Sequence, residues 1–134
     1  MIALDGFTIC QSVEQDDDAN VTALKGLFNN IESAGFPTRL PDGWLVGQVY
    51  GIRHQTELVL RFVYLDPIQM EPTEIWKRPM PARPCEDVRL PMSILLHIGG
   101  DTLPGPGEYR FELWHDDREV GHKKFFASLL RNGT

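Results

Sequence analysis

Residues 57–64 read ELVLRFVY and decide the fold class of this chain. Successive side chains of a β-strand point to opposite faces, so a strand that is buried on one side alternates with a period of two. No long stretch of the chain has the spacing of an amphipathic helix. The segment therefore predicts a half-buried strand, whose inner face consists of Leu58, Leu60, Phe62 and Tyr64.

The same period of two appears in two further segments. Apolar side chains occupy every second position of residues 88–98, and residues 109–113 alternate aromatic or aliphatic residues with Arg110 and Glu112. Ten prolines and 12 glycines interrupt the chain at short intervals, which is typical of strands joined by turns. We therefore predict an all-β fold, an antiparallel immunoglobulin-like β-sandwich of seven to eight strands.

Tyr109 favours the sandwich over a closed barrel, which is the alternative architecture. It opens the penultimate predicted strand, two residues before the core position Phe111. The tyrosine corner of immunoglobulin-like domains has this placement. An ordinary core aromatic is the other interpretation of Tyr109.

The length of 134 residues fits a single domain, residues 1–134. Residues 67–86 form its least regular part, because five prolines interrupt them. Proline cannot donate a hydrogen bond to a strand ladder, so we expect at most a short edge strand, residues 74–77, in this segment.

The end of the chain is predicted to form a hairpin. A two-residue turn at Asp117 and Arg118 places Glu112 opposite Lys123, which is a favourable cross-strand pair. That register also places Lys124 beside Phe111, which is unfavourable. A bulge near Gly121 would correct it.

The net charge and the composition of individual segments argue against several classes of binding partner. The chain has 13 basic and 19 acidic residues and a net charge of −6, so we expect no nucleic-acid partner. The N-terminal residues lack the pattern of a signal peptide, and no segment has the length of a membrane span. The two cysteines, Cys10 and Cys85, lie far apart in sequence, and we expect free thiols in a cytoplasmic protein without a membrane partner.

Several short motifs resemble an uncharacterised bacterial family of small immunoglobulin-like β-sandwich proteins, a domain of unknown function. They are Cys10-Gln11, the segment 24–31 with the sequence LKGLFNNI, Phe36-Pro37, and the segment 106–113 with the sequence PGEYRFEL. The family often has Asp-Gly in its final turn, where this chain has Asp116-Asp117. The resemblance implies the fold and no activity, cofactor or site residue.

Candidate chemistry is sparse in this sequence. His115 and His122 flank the final turn, and with Asp117 they form a weak candidate for a divalent metal site. Their spacing is not that of a structural metal site, so we expect no metal and no cofactor. The acidic stretch 16–18 lacks the alternation of a calcium loop, and Cys10 has the context of a buried core thiol rather than a nucleophile.

The tryptophans suggest where a protein partner could bind. Trp114 lies on the predicted outer face, and Trp76 stands in the proline-rich segment, close to Arg78. Exposed tryptophan beside arginine is typical of interface hot spots. The alternative is that both rings cap the sandwich beneath loops. Trp44 opens a strand and is predicted to lie in the core.

We therefore expect a non-catalytic protein-binding or scaffold module, which acts through a protein partner or self-association. Loops or an unpaired edge strand would form its contact surface. A structural subunit of a larger assembly, of the phage or secretion type, is the alternative. A small metal-dependent hydrolase around His115 and His122 is a third hypothesis.

Overall fold

The described residues form β-strands and turns. A computed structural model describes residues 1–18, 20–69, 71–87 and 89–130. Within this part of the chain there are 11 strands and no helix. In chain order they are β1 (Ala3–Gln15), β2 (Val21–Leu27), β3 (Asn30–Ser33), β4 (Thr38–Arg39), β5 (Gly43–Tyr50), β6 (Thr56–Leu65), β7 (Pro72–Ala82), β8 (Met92–Ile98), β9 (Thr102–Leu103), β10 (Gly107–His115) and β11 (Arg118–Leu129).

Nine of these strands build two sheets. Sheet A has the order β2-β1-β5-β8, and sheet B has the order β3-β11-β10-β6-β7. Strands β4 and β9 form a separate two-stranded ladder. All described pairs are antiparallel except β3 with β11, which is parallel.

The two sheets form an immunoglobulin-like sandwich, as the sequence predicted. The C-terminal hairpin β10–β11 lies beside β6 in sheet B, while β1, β5 and β8 form the facing sheet A. This separation of neighbouring chain segments into two sheets is the Greek-key arrangement of such domains. The strand count exceeds the predicted seven to eight because short strands such as β3, β4 and β9 have no pattern long enough to detect. Val88, the first residue of the predicted alternation 88–98, lies outside the described residues.

In the core, the aromatic side chains of sheet B pack against the mainly aliphatic side chains of sheet A. On sheet B, the ring of Phe62 stacks on Phe111 with centroids 4.4 Å apart, and Tyr109 stacks on Phe125 at 5.3 Å. The inner face of sheet A is aliphatic, and its buried residues are Ile9, Leu45, Val49, Ile94 and Ile98. The predicted inner faces of β6 and β10 are therefore confirmed.

Tyr109 forms the predicted corner. Its ring is fully buried, and its hydroxyl donates a hydrogen bond of 2.6 Å to the carbonyl of Gly105. The Gly105 amide donates in turn to the same hydroxyl at 3.3 Å. Tyr64, stacked on Tyr109, donates to the carbonyl of Pro106 at 2.8 Å. Two buried hydroxyls thus hold the loop that enters β10.

The final hairpin turns one residue earlier than predicted. Its two turn residues are Asp116 and Asp117, which have φ angles of 49° and 62°. A two-residue turn with two positive φ angles matches the twist of the flanking strands. The earlier turn and the register shift between Leu113 and Trp114 together place Glu112 opposite His122 rather than Lys123. The irregularity expected near Gly121 is present, since the register shifts between Leu113 and Trp114. It does not remove the unfavourable pair, because Lys123 then stands opposite Phe111.

Strand β7 corrects the expectation of a short and irregular edge. It spans 11 residues and pairs with β6 along the whole length. It contains Pro72, Pro79 and Pro81. These prolines are tolerated because β7 lies at the edge of sheet B. A proline on an edge strand can direct its missing donor toward solvent.

Trp44 lies on the outer face of sheet A, so its predicted core position is wrong. The inner positions of β5 are Gly43, Leu45, Gly47 and Val49, all of them buried. A Cβ atom on Gly47 would lie 2.8 Å from Cδ1 of Phe7, so any side chain there would displace the Phe7 ring. The alternation along β5 therefore places Trp44 outward, where its ring meets His97 edge-on at 5.1 Å.

The Tyr109→Phe variant tests the corner. Removing the hydroxyl leaves the carbonyl of Gly105 without this donor, so we expect the free energy of unfolding to fall by about 1–3 kcal/mol. The matched control is Tyr50→Phe, because the Tyr50 hydroxyl contacts only the exposed Gln48 side chain. Its effect should stay within about 0.5 kcal/mol. Equal urea midpoints for the two variants would contradict the assignment.

Urea denaturation at alkaline pH tests the contribution of the same hydroxyl to stability. Burial raises the pKa of Tyr109 from 10.0 to about 12. Its stabilising contribution is complete below pH 10, where the hydroxyl is neutral in both states. It is lost as the pH rises toward 12, because the unfolded chain ionises first. We therefore expect urea midpoints of the wild type to fall faster over this range than those of Tyr109→Phe.

Candidate functional site

The outer face of sheet B has a network around a buried carboxylate. Glu112 is only 7% exposed. Its Oε1 accepts a hydrogen bond of 3.0 Å from Nε1 of Trp114 and a second of 3.4 Å from Arg61. Arg61 also binds Glu74 at 2.9 Å and lies over the ring of Trp114 at 5.5 Å. Trp114 is thus oriented by a hydrogen bond and a cation–π contact.

A cleft of about 350 Å³ opens beside this network. Trp114, Arg61 and Glu74 line one part of it, and Lys77 and the two turn aspartates line the rest. The predicted outward position of Trp114 is therefore confirmed. The cleft joins an oriented aromatic ring to side chains of both charges.

The weak metal candidates do not converge. Nδ1 of His122 lies 2.8 Å from Glu119, and Nε2 of His115 lies 3.1 Å from Oγ1 of Thr56. Asp117 stands at the tip of the turn and has no hydrogen bond or ion pair among the described residues. In the described ranges, no three His, Cys, Asp or Glu side chains are grouped so that they could hold a metal ion.

A larger cleft, of about 650 Å³, lies at the same end of the sandwich. Thr56, His115 and Asp116 are among its lining residues. Asp116 contacts His115 at 3.5 Å through Nε2, the nitrogen that also meets Thr56. In a nucleophile–histidine–acid relay, the acid binds the opposite ring nitrogen. This trio therefore does not form a hydrolytic relay.

Trp76 lies on the inner side of β7. Its ring packs on Phe62 and Phe111, with centroids 5.7 and 6.0 Å apart. Arg78 covers it from the exposed side, with Cζ 4.5 Å from the ring centroid. Nε1 of Trp76 is buried and has no hydrogen-bond partner. Trp76 is thus a core residue at the margin of the sandwich.

Both cysteines are free thiols, as expected. Cys10 is buried in β1, opposite Trp44, and burial raises the pKa of its thiol. Cys85 is half-buried and its thiol donates to the carbonyl of Pro91. A raised pKa disfavours the thiolate, the nucleophilic form of cysteine.

Strand β8 is the least protected of the four edges of the two sheets. The edge strand β7 has three prolines and several charges, β3 has only four residues, and β2 contains Lys25 and the left-handed Gly26. Natural edges are protected from further pairing by such features. Residues 92–98 read MSILLHI and include no proline, glycine, lysine, arginine, aspartate or glutamate.

The far side of β8 is free among the described strands. Its ladder runs only to β5, and the backbone hydrogen bonds described for loops and turns do not involve residues 92–98. Leu96 faces inward beside Leu45, yet it is only half-buried. Met92, also on the inner face, is half-buried as well. The sandwich is therefore incompletely closed along β8.

The same side of the sandwich includes the inner face of β7. Since β1 contacts β11, strands β8 and β7 form the opposite margin of the two sheets. Inward residues of β7 that pack on the core, Trp76 and Met80, are half-buried like Leu96. We call the four residues Trp76, Met80, Met92 and Leu96 the open margin. Sequence reasoning missed it, because an edge is defined by which strands pair.

Comparisons with known proteins identify a family and a similar solved structure. A family model described as a family of unknown function (DUF6941) matches residues 5–127. A crystal structure of an immunoglobulin-like protein from Pseudomonas aeruginosa is similar, with 18% sequence identity and a TM-score of 0.45. That match covers 95% of this chain and 96% of the other. No curated protein matches this sequence. The described part of the chain contains no helix with the length and hydropathy of a membrane span.

The Glu112→Ala variant tests the network on sheet B. It removes the acceptor of the Trp114 indole and one partner of Arg61, so we expect unfolding free energy to fall by about 1–3 kcal/mol. Glu74→Ala is the matched control, because it removes only the more exposed bridge to Arg61. That change should cost about 0–1 kcal/mol. Urea denaturation of both variants measures these changes. Equal losses of unfolding free energy would argue against a structural role for the buried carboxylate.

Proposed function

This chain belongs to the family of unknown function DUF6941, and from its own geometry we propose that it is a non-catalytic protein-binding module that pairs with a partner strand at β8. One observation carries the proposal. Strand β8 alone among the four edges of the described sheets A and B is long and without proline, glycine or strong charge. An exposed edge of this kind is a template for another strand.

The open margin supports strand addition rather than contact by loops. An added strand would extend sheet A from four strands to five, the number in sheet B. Its inward side chains would lie next to Leu96 and Met92, which are half-buried in the free chain. Main-chain hydrogen bonds would provide affinity, and alternate side chains would provide specificity.

The outer face of β8 would add contacts to the same partner. Leu95 lies beside Val46, and His97 lies beside Trp44. These four side chains form a mostly apolar row at the margin of sheet A. A partner strand beside β8 would place its own outward residues next to Leu95 and His97. The network around Trp114 is on the other sheet and takes no part in this contact.

In-cell photo-cross-linking tests the proposed function. A photoreactive amino acid at His97 should link to a defined protein in cells of the source organism, since this position lies on the proposed contact edge. The control position is Lys77, exposed on the outer face of β7. We expect a strong cross-link from position 97 and little or none from position 77.

A second variant makes the cross-link specific to strand addition. Leu95→Lys introduces the charge that protected edges have, so it should reduce the cross-link at least about tenfold. Val46→Lys, on the same face but one strand inward, should leave it unchanged. The proposal fails if position 97 gives no cross-link, or if Leu95→Lys does not weaken it.

A further inference from the structure

Strand β8 is complementary to itself. In an antiparallel pair centred on Leu95, each residue meets the one equally far from the centre on the other strand. Met92 then faces Ile98 and Ile94 faces Leu96 on the inner side. On the outer side Ser93 faces His97 and Leu95 faces Leu95. Apolar residues meet apolar residues, and the two polar residues meet each other.

The faces of β8 agree with this register. Met92, Ile94, Leu96 and Ile98 pair with the inner positions of β5, so all four point toward the core side. Ser93, Leu95 and His97 point outward. An antiparallel pair preserves this division, because directly opposed residues lie on the same face of a sheet.

One pair of opposite charges, Arg89 and Asp101, flanks the strand. Arg89 lies three residues before β8, and Asp101 lies three residues after it. Antiparallel pairing brings the start of one strand to the end of the other, so Arg89 of each copy approaches Asp101 of the second. The Arg89 side chain is 86% exposed. Its Nε and Nη2 donate to the two carboxylate oxygens of Asp87 at 2.9 and 2.8 Å, which leaves Nη1 available for a second carboxylate. Asp42 lies close to Gly99 at the Asp101 end, so this end is the more acidic one.

The net charge of the chain limits where two copies can come into contact. Two copies of a chain with a net charge of −6 repel each other over most of their surfaces. The seven residues of β8 include no acidic or strongly basic side chain. Contact between copies is therefore least opposed along this strand.

From these observations we infer that the partner strand at β8 is β8 of a second copy, so that two chains join their A sheets into one sheet of eight strands about a two-fold axis at Leu95. This inference rests on the proposed function, since it names the strand that is added. The interface is isologous, the usual form in homodimers. Seven residues bury less than the roughly 1,600 Å² of a standard interface, so we expect a weak dimer.

A charge-exchange experiment tests this dimer. Sedimentation equilibrium of the wild type up to about 500 μM should show a monomer–dimer equilibrium. Leu95→Lys and Leu95→Glu each place like charges opposite one another at the axis, so each should raise the dissociation constant about tenfold or more. An equimolar mixture of the two variants should regain dimerisation, because opposite charges then meet.

Matched controls separate the register from general effects. Val46→Lys places its charges about three strand spacings apart, roughly 14 Å, which exceeds the Debye length of about 8 Å. It should dimerise like the wild type. Because Leu95 is half-buried, the exchange is repeated at exposed positions with the Ser93→Lys/His97→Lys and Ser93→Glu/His97→Glu variants. Circular dichroism checks that every variant keeps its strand spectrum.

The outcomes are distinct for the two proposals. A wild type that stays monomeric, a Leu95→Lys variant that dimerises as well as the wild type, or mixtures that do not regain dimerisation would each overturn the homodimer. If the chain is monomeric but position 97 cross-links to a different protein, the binding function stands and only the identity of the partner strand is wrong. If neither dimer nor cross-link is found, both proposals fail.

Discussion

The stacking of Phe62 on Phe111 is the contact on which the rest of the molecule depends. The two rings belong to β6 and β10, which are distant in sequence and directly paired in sheet B. Once these rings face inward, the period of two forces Arg61 and Glu112 outward, where they orient Trp114. Sheet A accommodates the aromatic layer with aliphatic side chains and glycines. The same stack thus shapes both the core and the outer face of sheet B.

Sequence patterns predicted the fold wherever alternation was uninterrupted. Segments 58–64 and 109–113 form strands with the expected inner faces, and Tyr109 closes its corner as its position suggested. Of the predicted segment 88–98, only Met92–Ile98 is a strand, and Leu90 is exposed before it. The pattern misled at β5, because glycines form half of its inner face and an outward Trp44 then has the appearance of a core residue. It misled at β7 as well, because a proline interrupts an inner strand but is compatible with an edge.

The candidate surfaces were only partly accessible to sequence reasoning. Trp114 could be placed outward because its neighbours alternate regularly. Its cation–π partner Arg61, and Glu74, which binds Arg61, belong to strands whose pairing no local pattern reveals. The importance of β8 was hidden for a related reason, since its alternation describes an ordinary half-buried strand. That it lies at an edge follows only from the order of all the strands in sheet A.

The two left-handed aspartates at the final turn have a consequence for how this hairpin is conserved. Glycine adopts positive φ angles without the steric cost that a side chain brings, and related turns often use it at the second position. Asp116 and Asp117 instead keep two carboxylates at the mouths of the clefts, in backbone conformations that carboxamide and acidic residues tolerate better than most. Among relatives, a glycine at either position would mark a hairpin tip selected for backbone geometry alone, and a retained acidic pair would mark one selected for its negative field.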